Sequence, residues 1–392
     1  MQEVQVGNSR YIRDLNLTGI FRLIQKYGPI SRKELAENTG YSAATITNHV
    51  KRLIDEGFVI ETDKGSSTGG RRPVYLTVNP EQGYILAVDI EVKQIRILLF
   101  DLNLKVKEKL ELSIEVRTAE EVLQILAEQI RSFCRQNDIK EEKIIGMGVV
   151  LPGLVDNKNG YLHFAPNLKW RDIDIKGYFE KALGYKIVVE NEAKAAVLGE
   201  KELAFPDVEN MVYVSINEGI GCGIIFNGSL YRGASGNAGE FGHIIIDSKG
   251  PECHCGNFGC WETLASTKYI SNRYFEETGK IIPYLDLCKQ AIADNEILLE
   301  IVKETARNIA IGLVNIVNSL SPEVLVIGGN ILALKNYIME DIEEILTEKA
   351  LSVLKQKVEL ACSKLGNKAA LYGIARMVFD INIEEEIIAR IN

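Results

Sequence analysis

Hydrophobic and polar positions divide the chain into a short helical head and a longer alternating α/β body. In the head, Ile20, Phe21, Leu23 and Ile24 recur at helical spacing, and Gly28-Pro29 stops that helix. Ser31 is a good N-cap, and Glu34 three residues later completes a capping box for the helix SRKELAENTG, which ends at Gly40. Ser42 caps a third helix, SAATITNHVKRLIDEG, whose apolar residues Ile46, Val50, Leu53 and Ile54 keep the 3.6 period. The segment FVIETDKGSSTGGRRPVYLTVN then alternates as two strands around a Gly/Ser-rich tip. Two short helices joined by a tight turn and followed by such a β-ribbon predict a winged helix-turn-helix over residues 1–80.

The body begins with GYILAVDIEVKQIRILLFDLNLKVKEKLELSIEV, a β-meander, followed by an amphipathic helix over 119–136 and the buried strand and loop IIGMGVVLPGLVD. The passage MVYVSINEGIGCGIIFNGSLYRG repeats the opening theme of strand, turn and strand. The shared pattern at residues 84–105 and 211–232 predicts a duplicated α/β unit, the arrangement that faces two lobes across a cleft in actin-like sugar-kinase folds.

Composition narrows the class. With 392 residues, 46% of them hydrophobic and 25% charged, the chain can bury a sizeable core, which excludes wholesale disorder. At roughly 100–200 residues per domain it holds two or three domains. No apolar run approaches the ~18 residues of a membrane helix. The opening MQEVQVGNSRYIRD lacks the apolar core of a signal peptide, so a cytoplasmic protein with no membrane partner is expected. The formal net charge of −9 hides an asymmetry: residues 1–75 hold 11 Lys+Arg against 8 Asp+Glu, and the remainder 34 against 46. A mildly basic head on an acidic body fits a DNA-binding module joined to something else. On the third helix, Thr45, Thr47 and Asn48 suit base edges, while Lys51 and Arg52 suit phosphates. Ser31, Arg32 and Ser42 at the helix starts join this set, as do Arg71 and Arg72 at the base of the wing. The competing reading is a three-helix bundle that binds protein, with Arg71 and Arg72 merely solvated.

Seven cysteines, three of them within eight residues, argue against a disulfide framework. His243, Cys253, Cys255 and Cys260 offer one imidazole and three thiolates, a closed tetrahedral set for structural zinc, and Gly250, Gly256 and Gly259 let the chain wrap a small ion. The alternative is a group of buried thiols beside a surface histidine. Around this loop stand groups that suit a small polyol: Glu240 three residues before His243, Asn191 and Glu192 after the strand KIVVE, and Glu262 after the last cysteine.

Together these passages resemble the ROK family of repressors and sugar kinases. VSINEGIGCGIIFNGSLYRGASGNAGEFGH is similar to the family signature and CHCGNFGCWE to its zinc motif, while SRKELAENTGYSAATITNHVKRLIDEGFV with GGRRP resembles the winged head of its regulators. The resemblance implies a winged helix-turn-helix domain followed by a two-lobed, actin-like (ribonuclease H-like) domain. It implies a small lobe over 81–199 with a C-terminal helix at 374–392, and a large lobe over 200–373 with the zinc loop and a dimerisation surface. It assigns Glu240, Glu262 and the Asn191-Glu192 pair to sugar hydroxyls and His243 to both zinc and sugar. Gly153 of LPG and Asn167 of APN line the same cleft.

The family's kinases carry an Asp-x-Gly-Gly/Ala-Thr phosphate loop, where this chain has Asp89-Ile90-Glu91-Val92-Lys93. A glutamate there is bulky and repels phosphate. The kinase base is an aspartate, and Glu192 is one methylene longer; a displacement of ~1 Å can cost about a hundredfold in rate. The resemblance therefore implies a non-catalytic repressor of double-stranded operator DNA, acting as a homodimer or tetramer. PNLKWRDIDIKG and ENEAKAAVLGEK look most like xylose repressors of Gram-positive bacteria, which makes D-xylose the expected inducer. A sugar kinase with an added DNA-binding head, or a repressor responding to glucose or N-acetylglucosamine, stays open.

Overall fold

The computed structural model describes residues 9–62, 74–114, 118–290, 292–351 and 358–391. Local signals set the head. Its helices are Ser9–Tyr27, Arg32–Thr39 and Ala43–Asp55. The capping box forms: the Glu34 amide donates to Ser31 Oγ at 3.2 Å and the Ser31 amide to Glu34 Oε2 at 2.8 Å. Gly40 ends the second helix in the left-handed region at φ 69°, and Ser42 Oγ accepts from the Thr45 amide at 3.1 Å. Tyr75–Val78 pairs antiparallel with Ile30–Ser31 and with Val59–Thr62, completing a winged helix. Leu17, Ile20, Phe21, Ile24, Leu35, Ile46, Val50, Leu53 and Phe58 form the core. Leu23 and Ile54 only edge it, half-buried. Residues 63–73 are not among those described, so the expected roles of Arg71 and Arg72 lie outside them.

The body builds two five-stranded sheets of one topology. In the first, Tyr84–Ile90 pairs antiparallel with Gln94–Asp101, which pairs with Val106–Ser113. On its other side Tyr84–Ile90 runs parallel to Ile144–Leu151, and that strand parallel to Ile187–Asn191. In the second, Met211–Ile216 leads the same order: Ile220–Phe226 and Ser229–Leu230 antiparallel on one side, Val324–Gly328 and Glu359–Cys362 parallel on the other. The repeat legible at 84–105 and 211–232 thus extends to both units strand for strand. A small antiparallel sheet, Leu154–Asp156, Tyr161–Ala165 and Trp170–Asp174, is inserted after Ile144–Leu151.

Each unit sends its last helix to the other. Glu192–Leu203 follows the edge strand of the first sheet and packs on the second; Ala369–Ile391 follows the second and packs on the first. The two helices cross with their backbones in contact. A Cβ on Gly373 would overlap the Ala195 carbonyl, and one on Gly199 the Ala369 carbonyl. The C-terminal helix starts at Ala369 rather than 374, because its small first residues belong to this crossing and carry no cap signal.

The head's core continues without a break into the C-terminal helix and the first sheet. Phe21 stacks on Phe379 with ring centroids 6.2 Å apart. Arg22 donates to Asp380 at 2.9 Å and to Glu384 at 2.8 Å.

Candidate functional site

Helix Glu192–Leu203 opens into the cleft between the units. Its cap, Asn191, accepts from the amides of Ala193 (3.0 Å) and Lys194 (3.2 Å) and donates through Nδ2 to the Gly153 carbonyl at 3.0 Å. One side chain therefore starts the helix and holds the LPG loop. Glu192 accepts at Oε1 from Ser215 Oγ (2.9 Å) and Asn217 Nδ2 (3.1 Å). Burial, with the nearby Glu91 carboxylate, pushes its carboxyl above the usual range. Glu240 sits at the rim, where partial enclosure raises its carboxyl against the opposing charges of Lys194 and His243. Glu262, in the first turn of the helix Trp261–Ala265, lies 3.0 Å from His254 Nδ1 and 3.8 Å from His243 Nδ1.

The seven residues expected at the cleft, Gly153, Asn167, Asn191, Glu192, Glu240, His243 and Glu262, all line one cavity of about 350 Å³. The sequence reading missed Ser215, Asn217 and His254, which line it too. Ser215 and Asn217 were signalled only by polar residues closing an otherwise apolar strand. His254 reads as a spacer between two cysteines. The lining offers carboxylates, amides, a hydroxyl and imidazoles in a small concave space, a set suited to a ligand with several adjacent hydroxyls.

The metal candidates converge on the same wall. One ligand atom each from His243, Cys253, Cys255 and Cys260 lies within 4.8 Å of all the others. Cys255 and Cys260 Sγ are 3.6 Å apart, and Cys253 Sγ is 3.5 Å from His243 Nδ1. Tetrahedral zinc with Zn–S bonds of ~2.3 Å has edges of about 3.7 Å, so the four residues fit such an ion. The loop is held by backbone bridges between Ile245 and Cys260 and between Glu252 and Phe258. Gly259, at φ 65°, is pressed against the Asp247 carbonyl where a Cβ would not fit. His243, Cys253, His254 and Glu262 form an overlapping second group within the same distance.

At the phosphate-loop position the chain fills its own turn. Arg96 donates to Asp89 Oδ2 at 2.7 Å and also bonds Glu91. Asp89 and Arg96 are buried, and burial together with Glu91 pushes the Asp89 carboxyl up to about 8. The charges of Asp89, Glu91 and Glu192 are all felt by this one guanidinium.

In the head, Ser42, Thr47, Asn48 and Lys51 are exposed together at the start and on the outer face of Ala43–Asp55. Thr45 is half-buried, its Oγ1 2.9 Å from Ser42 Oγ. Ser31 is spent on its cap. Of the four arginines of the expected set, the two among the described residues have partners within the fold. Arg32 donates to Glu61 at 2.7 Å, and Arg52 turns to the Ile391 carbonyl at 3.3 Å.

Comparison with known proteins matches residues 85–381 to "ROK family" and residues 13–60 to "Winged helix-turn-helix DNA-binding". The chain is 34% identical to the xylose repressor of Bacillus subtilis (strain 168) over 378 residues, 96% of this chain and 98% of that one. A crystal structure of a ROK family transcriptional regulator, homolog of the E. coli MLC protein, superposes with a TM-score of 0.83 at 28% identity, covering 97% of this chain and 99% of that one. The ROK family glucokinase from Streptomyces griseus, solved with glucose and AMPPNP, superposes at 0.66 with 25% identity, covering 75% of this chain and 99% of that one. Among the described residues no helix is long and apolar enough to cross a membrane.

Proposed function

The chain belongs to the ROK family, and from that premise we propose that it is a transcriptional repressor that a sugar releases from operator DNA. One observation carries the reading: a winged helix with an exposed polar recognition face shares a continuous core with the C-terminal helix, which crosses the helix Glu192–Leu203 whose start lines a polar cleft. Thr47 and Asn48 read base edges in the major groove, and Ser42 and Lys51 hold phosphates. As a homodimer the protein places two such helices about 34–36 Å apart, for half-sites one turn apart. Similarity to the xylose repressor favours D-xylose as the inducer.

In this reading Glu240, His243 and Glu262 take sugar hydroxyls from one side of the cleft, and Asn191 and Glu192 fix the other. Zinc on His243, Cys253, Cys255 and Cys260 supplies rigidity, and with four protein ligands it leaves no open position for a reacting water. This reading excludes a kinase on occupancy: Glu91 and the buried Asp89–Arg96 pair fill the turn that a triphosphate would have to approach.

Closing the cleft on a sugar turns Glu192–Leu203 and, through the Gly199–Gly373 crossing, the C-terminal helix. Asp380 and Glu384 pass that movement to Arg22 on the first head helix. Release requires tighter sugar binding in the DNA-free conformation, by a coupling of typically ~1–3 kcal/mol. The test is fluorescence anisotropy on a labelled duplex that the zinc-loaded protein selects from a random pool. Addition of D-xylose, glucose or N-acetylglucosamine should lower the affinity for one of the three. Failure to enrich any duplex, or an affinity unmoved by every sugar, sinks the proposal.

A further inference from the structure

Beyond the cavity that holds the seven expected residues lies a second, larger one of about 480 Å³ on the far side of Glu262. Asn167, Gly219, His254 and Glu262 line both. Ligand pockets commonly span ~300–1,000 Å³, so each chamber alone is of ligand size. The boundary between them is kept open by Gly219. A Cβ at that position would stand 3.0 Å from Glu262 Oε2 and 3.8 Å from Asn167 Nδ2, in the gap between these two side chains. Backbone conformation does not demand this glycine, because its φ is not in the left-handed region. Space does.

The second chamber carries unspent hydrogen-bonding capacity. Among the described residues, the side-chain amides of Asn167 and Asn272, the Lys268 ammonium and the Glu218 carboxylate make no hydrogen bond within the protein, although all four residues line it. Tyr269 on its wall is anchored instead, its hydroxyl donating to Glu304 at 2.9 Å. Donors and acceptors of both kinds, spaced around a polar concavity with a fixed aromatic wall, match the outward hydroxyls of a second sugar ring.

We propose that the cleft has two adjoining sugar subsites and that its full ligand is a saccharide of two units. One ring lies against Glu240 and His243, and the other between Asn272 and Lys268, with the linkage passing over Gly219 beside Asn167, His254 and Glu262. The proposal rests on the sugar reading given above and deepens it.

Calorimetry on the full-length, zinc-loaded protein tests it with three matched pairs: D-xylose and xylobiose, glucose and cellobiose, N-acetylglucosamine and N,N′-diacetylchitobiose. In one pair the disaccharide should bind roughly tenfold tighter than its unit, the worth of one or two further hydrogen bonds. The double variant Lys268→Ala/Asn272→Ala changes two exposed side chains away from the first cavity. It should erase that excess and leave the monosaccharide affinity unchanged. Gly219→Ala should weaken the disaccharide more than the monosaccharide. A disaccharide that binds no tighter than its unit in every pair overturns the second subsite alone, as does a double variant that weakens both sugars alike. Absence of binding by all six sugars overturns the sugar reading and the subsite with it.

Discussion

The two body units place equivalent turns at the cleft and use them in opposite ways. In the first, residues 91–93 link Tyr84–Ile90 to Gln94–Asp101, and the Glu91 amide donates to the Gln94 carbonyl. In the second, residues 217–219 link Met211–Ile216 to Ile220–Phe226, and the Asn217 amide donates to the Gly219 carbonyl. The first turn is closed by its own charges, with Arg96 clamped between Asp89 and Glu91. The second is open: Asn217 steadies Glu192, and Gly219 leaves a gap beside Glu262. The same place in the topology thus yields an occupied corner or a ligand-bordering one, depending on whether its side chains satisfy one another or stand back. Of the two turns, the second lines the cavity and the first does not, although other residues of both units do.

The strongest way to break that contrast is to remove what stiffens the open side. Cys253→Ser should abolish stoichiometric zinc and weaken sugar binding by more than about tenfold, because metal-held loops carry much of their order in the metal bonds. Atomic spectrometry and calorimetry on the same sample check both effects. Tight sugar binding in metal-free protein would separate the loop from the cleft.

Next in size is Gly373→Val. Its side chain has nowhere to go but into the Ala195 carbonyl. Overpacking of this kind costs typically ~1–3 kcal/mol, and here the obstacle is backbone. The urea midpoint should fall accordingly, and sugar should lose its grip on operator affinity even where the folded protein still binds sugar.

Legibility in the sequence followed the range of the forces. The head was readable almost residue by residue, because Ser31, Glu34, Gly40 and Ser42 act on neighbours within a turn. The duplicated hairpins were readable from their alternation. The residues of the cleft came from motif resemblance, and the structure brings them to one cavity. What escaped depends on partners far away in the chain. Gly199 and Gly373 each look like a weak point in a helix until the two are seen to touch. Arg32 and Arg52 look like DNA-facing cations until Glu61 and the Ile391 carbonyl are placed beside them. The self-filled turn at Asp89–Glu91 was legible as an obstacle to phosphate, but Arg96, which makes it stable, was not.

Arg22→Ala separates coupling from stability. Its ion pairs with Asp380 and Glu384 are about one-third exposed, so their loss should cost at most ~1 kcal/mol. The same change removes the ion pairs between head and C-terminal helix, leaving the Arg52–Ile391 and Arg376–Gln25 hydrogen bonds. Anisotropy should show operator affinity nearly preserved while the sugar-induced loss of affinity shrinks several-fold. A full sugar response in this variant would move the coupling to the apolar contact of Phe21 with Phe379.

The smallest expected effect concerns the closed turn itself. Asp89 has its carboxyl raised by burial first and by Glu91 second. A folded-state value above the unfolded one means that the native protein holds the proton more tightly. The stability this provides is fully present below the usual carboxylate range and is lost as pH rises toward about 8. Glu91→Gln removes one of the two causes while keeping a group that can accept from Arg96. Urea midpoints at pH 5 and pH 7.5 should therefore differ less in the variant than in the parent. An unchanged slope would mean that Arg96 alone balances Asp89 and that Glu91 belongs to solvent rather than to the closed corner.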